Sequence, residues 1–379
     1  MKSTLLTTTA MIVAFAGAAS ADGHAGLALS GSAGLGYNDD VEDGFFWDTD
    51  VQVTGTAALD NGVTASASVE IEVASDTIAD DAIDSEDLVL SLSTDAASLT
   101  YGDVDPVAED RFGGVDGDST AGFNDQDAHF DVVGFDAMLV GEVTVAGITA
   151  ALSYGVFANE PNAGDVGPAP TSVPLDDVDV IDALQVYATG DFGQFGFEFA
   201  YQDEIVGVTD YTVIGVAGSA SFAGADVTVS YLDDETENSI GIGVAYPVGP
   251  VTLSGYYSVN DVAEDSYGVE ADYADGPIAV NAFYDFEGGA TDADADDFSE
   301  FGVEGSYDVG NGLTVLAGYI STDDAGTETA ATYAAGTYDL GGGAELLVSY
   351  AEDEANATND EIGDPEYNHG TTVAVTFSF

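Results

Sequence analysis

Carboxylates are the residues of this sequence that could do chemistry, because they recur within segments whose apolar and polar residues alternate. The chain has 71 Asp and Glu against 2 Lys and Arg, a formal net charge of −69. Carboxylates attract inorganic cations, and rows of them on one surface enrich cations and exclude anions. A nucleic-acid partner is excluded, because such a protein needs a basic surface to contact phosphates.

Dedicated metal and catalytic motifs are not found. Acids cluster at residues 233–237, 292–297 and 352–354, but no cluster has the twelve-residue EF-hand spacing. Loose binding of Ca²⁺ at these acidic loops remains an open alternative. No dedicated metal site and no cofactor are expected. The chain has no Cys, its three His are far apart, and no G-x-S-x-G motif occurs. The sequence therefore predicts no enzyme activity, with lipase-type chemistry at an outer membrane as the remaining enzymatic alternative.

The first 21 residues have the pattern of a secretory signal peptide. Lys2 precedes an apolar stretch, and Ala19-Ser20-Ala21 has the small-x-small form of a cleavage site. We expect residues 1–21 to be removed and residues 22–379 to form the mature protein. Arg111 is then its single Lys or Arg.

The segments that must position the acids read as β-strands. Phe195, Phe197 and Phe199 share one face, with Gly196 and Glu198 on the other, and the same period of two runs through most of the chain. Gly- and Asn-containing turns separate the strands, as short hairpins require. The predicted turns are 60–62, 190–193, 223–224, 275–276, 310–312 and 341–343; the predicted long acidic connections are 233–237, 288–297, 323–328 and 352–366.

Short turns at one end and long loops at the other are typical of an outer-membrane barrel. We therefore predict an all-β fold, a transmembrane antiparallel β-barrel of about 16–20 strands, with 20 favoured. The predicted single strands are 25–37, 46–59, 62–74, 86–94, 97–102 and 368–379, and the predicted hairpins are 131–157, 181–202, 210–232, 238–259, 265–287, 297–321 and 329–352. A soluble sandwich would show the same alternation, but the signal peptide, the number of strands and the terminal Phe favour the barrel.

Charge predicts which face of the strands meets water. Carboxylates on a lipid face are destabilising, so the acids opposite the aromatic stripe should line a water-filled lumen. The acids in the loops are explained equally well by a saline habitat, where an acidic surface keeps a protein soluble. The predicted lumen-wall residues are Asp50, Glu70, Glu72, Glu142, Glu198, Asp226, Glu270, Asp272, Asp285, Glu304 and Glu345.

Four stretches, residues 27–38, 99–103, 338–343 and 376–379, resemble the general porins of Gram-negative bacteria, most closely the alphaproteobacterial branch. The opening residues 27–38 resemble that family's first strand, residues 99–103 its entry into the third loop, and residues 338–343 its penultimate hairpin. The ending Thr376-Phe377-Ser378-Phe379 matches the family's terminal aromatic signature. Two features depart from the family: two additional hairpins are counted, and one arginine replaces the usual arginine cluster.

The resemblance implies a third loop, about residues 103–130, that folds into the lumen and narrows it. The residues that would form this constriction are Asp105, Glu109, Asp110, Arg111, Asp116 and Asp118. Pro106 can begin a short helical turn and Gly113-Gly114 can end it. Arg111 either forms a cationic wall or, as we favour, pairs with Asp110, Asp116 or a wall carboxylate.

These observations predict a passive outer-membrane diffusion channel for ions and small hydrophilic solutes, cation-preferring through its acidic lumen. The resemblance further implies a homotrimer in outer-membrane lipid, with Phe377 and Phe379 as the signal that the barrel-assembly machinery recognises. The alternative is a secreted or surface Ca²⁺-binding structural or adhesion β-protein. Such a solenoid would carry nonapeptide Gly-Asp repeats, which are not found.

Overall fold

The computed structural model describes residues 25–40, 44–75, 84–115, 128–130, 137–156, 183–206, 209–262, 265–288, 297–354 and 367–379. These residues form twenty strands and one short 3-10 helix, Ala128–Phe130. Within these ranges no helix is both long and apolar enough to cross a membrane. The predicted signal peptide, residues 1–21, lies outside the described residues.

The strands are long and follow one another along the chain. In order they are Ala25–Asn38 (β1), Gly44–Ala58 (β2), Thr64–Ser75 (β3), Asp84–Ser93 (β4), Ala97–Gly102 (β5), Ala137–Val145 (β6), Ile148–Val156 (β7), Ala183–Phe192 (β8), Phe195–Val206 (β9), Thr209–Phe222 (β10), Ala225–Asp233 (β11), Asn238–Val248 (β12), Val251–Asn260 (β13), Ser266–Asp275 (β14), Ile278–Glu287 (β15), Phe298–Gly310 (β16), Leu313–Asp324 (β17), Thr327–Gly341 (β18), Ala344–Asp353 (β19) and Gly370–Ser378 (β20).

All twenty strands form one closed antiparallel barrel. Each strand pairs with the next, and β1 also pairs with β20, from Ser32 opposite Ser378 to Asn38 opposite Thr372. Gly31 and Phe379 exchange two further backbone hydrogen bonds of 2.9 and 3.0 Å at this seam. Closure leaves no unpaired sheet edge. The predicted all-β barrel is confirmed at the favoured count of 20 strands, including both additional hairpins, β14–β15 and β16–β17.

Where the side chains are described, the strands expose apolar residues on one face and carry buried residues and most of the polar ones on the other. On β12, Ile240 and Ile242 are 53% and 46% exposed, whereas Ser239 before them and Gly241 between them are buried. The same alternation continues around the ring. Soluble proteins rarely expose a continuous apolar band of this extent, whereas a transmembrane barrel requires one. We call these two sides the apolar face and the polar face.

Two predicted connections differ most from the structure. The acidic loop expected at 323–328 is instead a two-residue turn, because β17 continues to Asp324 and β18 begins at Thr327. Asp323 and Glu328 lie opposite each other in the ladder, and Gly326 supplies the positive φ of 82°. The turn expected at 190–193 is shifted, because β8 continues through Phe192 and only Gly193 and Gln194 connect it to β9.

Candidate functional site

Residues 103–115, which follow β5, fold back onto the polar face of the barrel. Their first half forms one helical turn after Pro106, with the Asp110 amide donating to the Pro106 carbonyl at 3.0 Å and the Phe112 amide to Ala108 at 2.9 Å. Gly114 then has a positive φ of 49°. Proline suits the start of a helical turn and glycine its end, so this predicted local structure is confirmed.

Wall side chains hold the free amides at the start of this turn. The Val107 amide donates to Ser153 Oγ on β7 at 3.0 Å, and the Ala108 amide donates to Gln185 Oε1 on β8 at 2.6 Å. The Gln185 amide nitrogen donates to the Phe130 carbonyl at 2.7 Å. The first N–H groups of a helical turn lack partners within it, and buried ones must be satisfied. Gln185 therefore ties both described ends of the third loop to one point of the wall.

Two aromatic rings form the apolar contact between loop and wall. Phe112 and Phe130 are 1% and 0% exposed, and their rings meet edge to face with centroids 5.2 Å apart. Both rings lie over Gly215 on β10, where an added Cβ would come within 2.7 Å of the Phe112 ring. A small residue at this wall position is required for the loop to pack so closely. Val115 lies over Gly241 on β12 in the same way.

Arg111 pairs with two carboxylates instead of presenting an isolated positive charge. Its Nη1 lies 2.5 Å from Glu142 Oε2 on β6, and its Nε lies 3.3 Å from Asp110 Oδ2. Burial opposes the charge, but the hydrogen bond and charge of Glu142, followed by those of Asp110, raise the pKa of the guanidinium. This is the structural pairing favoured from the sequence.

The predicted constriction residues are placed unevenly. Asp105 and Asp110 are exposed, and Glu109 is partly buried. These three acids and Arg111 lie on or next to the same helical turn. Asp116 and Asp118 lie outside the described residues. Their role in a constriction stays a prediction.

All eleven predicted lumen-wall acids occupy the polar face. Their neighbours fit that placement. Asp50 is opposite Glu72 in the ladder and accepts a hydrogen bond from Ser32 Oγ at 3.3 Å. Glu270 is opposite Phe283 and shares its side of β14 with Gly268 and Asp272. The eleven are Asp50, Glu70, Glu72, Glu142, Glu198, Asp226, Glu270, Asp272, Asp285, Glu304 and Glu345.

The densest contacts among these acids lie on β14 and β15. The Asn281 amide nitrogen donates to Glu270 Oε1 at 2.5 Å and to Asp272 Oδ1 at 2.9 Å, and Ser254 Oγ donates to Glu270 at 3.1 Å. These neutral donors satisfy the carboxylates without cancelling their charge. Within the described ranges, no group of three or more His, Cys, Asp or Glu has an arrangement suited to a metal ion.

Three anchoring residues were not predicted from the sequence. Gln185 lies on β8 between buried Ala183 and Tyr187, and its amide in an otherwise apolar row was the available signal. His129 Nδ1 lies 3.5 Å from Asp234 Oδ2, beside Phe130 of the third loop. Burial lowers the pKa of His129, while Asp234 and then Glu237 partly oppose that shift. Tyr367, an isolated aromatic just before β20, is buried against the polar face.

Comparison with known proteins identifies a family. A family model described as Gram-negative porin matches residues 7–274 and 254–358. No curated protein matches the sequence. Similar solved structures include mutants of a porin from Rhodopseudomonas blastica. Three of them have 15%, 16% and 16% identity and TM-scores of 0.45, 0.46 and 0.43, each covering 93% of this chain and 100% of that one.

Proposed function

This chain belongs to the Gram-negative porin family, and from that premise we propose that its barrel encloses a water-filled, cation-preferring pore narrowed by the third loop. The family and the closed barrel make the protein a diffusion channel of the outer membrane rather than an enzyme. The solutes we propose are inorganic cations and small hydrophilic molecules. Their passage is passive.

The observation that carries the proposal is how far the third loop reaches around the wall. Arg111 contacts Glu142 on β6, and Val115 contacts Gly241 on β12. Six strand spacings measure about 29 Å along a wall, at about 4.8 Å each. The four residue steps from Arg111 to Val115 span at most about 14 Å. The backbone thus covers only about half of the arc, and the straight path across a concave wall is shorter than the arc, so the contacts favour the concave side of the wall.

The polar face is then the wall of the lumen, and its carboxylates set the charge of the pore. A low-dielectric wall concentrates the field of the acids it carries, which enriches cations inside. Because Glu142 and Asp110 neutralise Arg111, that residue supplies no opposing positive wall. Salt screens such fields over about 8 Å at physiological ionic strength, so we expect the preference to weaken as salt rises.

Export and assembly complete the proposal. Residues 1–21 would direct secretion and be cleaved. Phe377 and Phe379 would be read by the barrel-assembly machinery, and Phe379 also contributes backbone hydrogen bonds to the closing seam. A homotrimer is proposed from the family. We propose no resident cofactor; calcium titration of the folded barrel tests loose binding at the acidic loops. A secreted calcium-binding adhesion protein is not favoured, because a closed barrel with an apolar outer band fits a membrane.

Planar-bilayer recording of the purified mature protein under a salt gradient tests this function. We expect discrete conductance steps and a reversal potential that indicates cation preference and declines at high salt. Steps without that preference would leave the channel but reject the acidic-lumen mechanism. A demonstrably folded and inserted barrel that gives no steps would reject the pore.

A further inference from the structure

A second segment, residues 367–369 before β20, also packs on the polar face. Tyr367 is 4% exposed, and its ring centroid lies 5.0 Å from that of Tyr333 on β18. Ala335 and Ala351 complete this buried cluster, and Leu316 and Leu347 pack against it. Burying the Tyr367 ring against these apolar side chains fixes the backbone that carries it.

On β18 this cluster lies inside the strand, and on β19 it lies near the strand end, at Ala351 two residues before Asp353. Tyr333 is in the interior of β18, which runs from Thr327 to Gly341. Burial raises the pKa of Tyr367 to about 12, and the charges of Glu345 and then Glu304 add to the shift. Both acids belong to the polar face, so the phenol ring of Tyr367 lies among lumen-wall residues.

Hydrogen bonds hold the rest of the segment near the β1–β20 seam. His369 Nδ1 lies 2.8 Å from Asp40 Oδ2, and the Asn38 side-chain amide donates to the His369 carbonyl at 2.9 Å. The Thr371 amide donates to Asp39 Oδ1 at 2.6 Å. Tyr367 on one side and these contacts on the other leave the segment little freedom to move off the wall.

The two packed segments lie on opposite sides of the ring. Gln185, the anchor of the third loop, is on β8, and Tyr333 is on β18. β18 lies ten strand spacings from β8 in a closed ring of twenty, which is half the circumference. We infer that Tyr367 and Asn368 form a second constriction that faces the third loop, so that the pore is narrowed from two opposite walls.

This inference rests on the proposed function, because it specifies which solutes the same pore admits. Narrowing from two sides makes a slot rather than a round opening. Its free walls are β13–β16, which carry Glu270, Asp272 and Glu304, and the first strands, which carry Asp50. Small inorganic cations and slender cationic solutes fit such a slot, whereas bulky solutes of equal charge are excluded by their width.

Cysteine modification tests the position of the segment, because the natural chain has no Cys that could react. Asn368→Cys is reconstituted and treated with a trimethylammonioethyl methanethiosulfonate, a cationic thiol reagent. We expect a stepwise fall of roughly one third in conductance that persists until a thiol reductant cleaves the mixed disulfide, because the added group occupies a narrow part of the pore. Asp110→Cys on the third loop should respond similarly. Thr327→Cys, exposed at the β17–β18 rim, is the matched control and should not respond.

Removing the ring gives an independent test. Tyr367→Ala should raise the single-channel conductance by roughly 1.5-fold, because the side chain that holds the second constriction is lost. Tyr367→Phe should leave conductance unchanged, since the ring supplies the packing. Barrel folding is checked by circular dichroism.

The outcomes separate the inference from the function. Wild-type steps with no response at Asn368→Cys and no change in a folded Tyr367→Ala barrel would overturn the second constriction and leave the channel standing. No wild-type steps from inserted barrels would reject the channel itself. If Tyr367→Ala does not fold, the Asn368→Cys result alone decides the inference.

Discussion

Two arcs of the polar face differ in what they carry, although their strands alternate identically. The arc from β6 to β12 presents small, apolar and amide residues such as Ala200, Val213 and Gln185 beside the acids Glu142, Glu198 and Asp226, and the third loop packs on it. The arc from β13 to β16 presents Glu270, Asp272 and Asn281, which contact one another. Alternation therefore decides only that a residue faces inward. The residue type decides whether that stretch of wall holds a loop or an acidic surface.

Glycines on the β6–β12 arc make room for the third loop. Gly215 and Gly241 create the recesses into which Phe112 and Val115 fit, and a Cβ at either would collide with the loop. On the other arc, the carboxylates receive hydrogen bonds from neutral groups such as Ser254 Oγ. Packing a loop there would bury charges that lack a cationic partner, which is strongly unfavourable.

Phe112→Ala should have the largest effect on stability and conductance, because it removes the ring that packs the third loop against the β6–β12 arc. Truncating a buried Phe typically costs about 3–5 kcal/mol. We expect a destabilised barrel and a noisier, larger conductance as the third loop leaves the wall. Denaturant unfolding in detergent micelles and bilayer recording measure the two effects. Phe222→Ala, at a ring that is 75% exposed on the apolar face, is the control; an equal loss there would contradict the comparison.

Gln185→Leu should have the next largest effect. The change removes the acceptor of the Ala108 amide and the donor to the Phe130 carbonyl, and a buried polar group without its partner costs about 1–3 kcal/mol. We expect partial release of the third loop, seen as open-channel noise. Gln194→Leu in the exposed β8–β9 turn is the matched control. A quiet Gln185→Leu channel would show that the amide does not position the loop.

Charge changes on the two arcs should shift ion preference in opposite directions. Glu270→Gln removes a negative charge and should lower cation preference, whereas Arg111→Gln uncovers Glu142 and should raise it. A unit charge about 7 Å away in water changes a passing ion's energy by about 0.6 kcal/mol, roughly threefold in local concentration. Reversal potentials at low salt measure both shifts. Shifts of the same sign would show that the arcs are not electrostatically distinct.

Acidification should have the smallest effect of these changes, a slight weakening of the contact that His129 makes between the third loop and the wall. Burial lowers the pKa of His129 below its usual 6.5, opposed in part by Asp234 and then Glu237. The stability this group contributes is therefore complete above about pH 6.5 and is lost as pH falls through the lower folded pKa. We expect more current noise at pH 5 than at pH 7.5. His129→Asn removes this part of the pH response, whereas an unchanged pH response in that variant would exclude His129.

The placement of acids could be predicted from the sequence more completely than the placement of anchors. Glu198 alternates with Phe197 and Phe199, so its face follows from a local rule. Gln185 alternates in the same way, but its role depends on Ala108 and Phe130, which are 77 and 55 residues away. The two-residue turn at Ala325 was missed because the ladder there continues through acids that composition alone assigns to a loop.

The sequence by itself determined the strands, their number, the two faces and the family resemblance, because a period of two is a property of neighbouring residues. Only the tertiary structure decided that Arg111 is paired with Glu142, that Gln185 holds the third loop, and that Tyr367 packs half a ring away from it. Those contacts join residues that are brought together by closing twenty strands into a ring. Spacing along the chain does not predict which residues come into contact once the ring is closed.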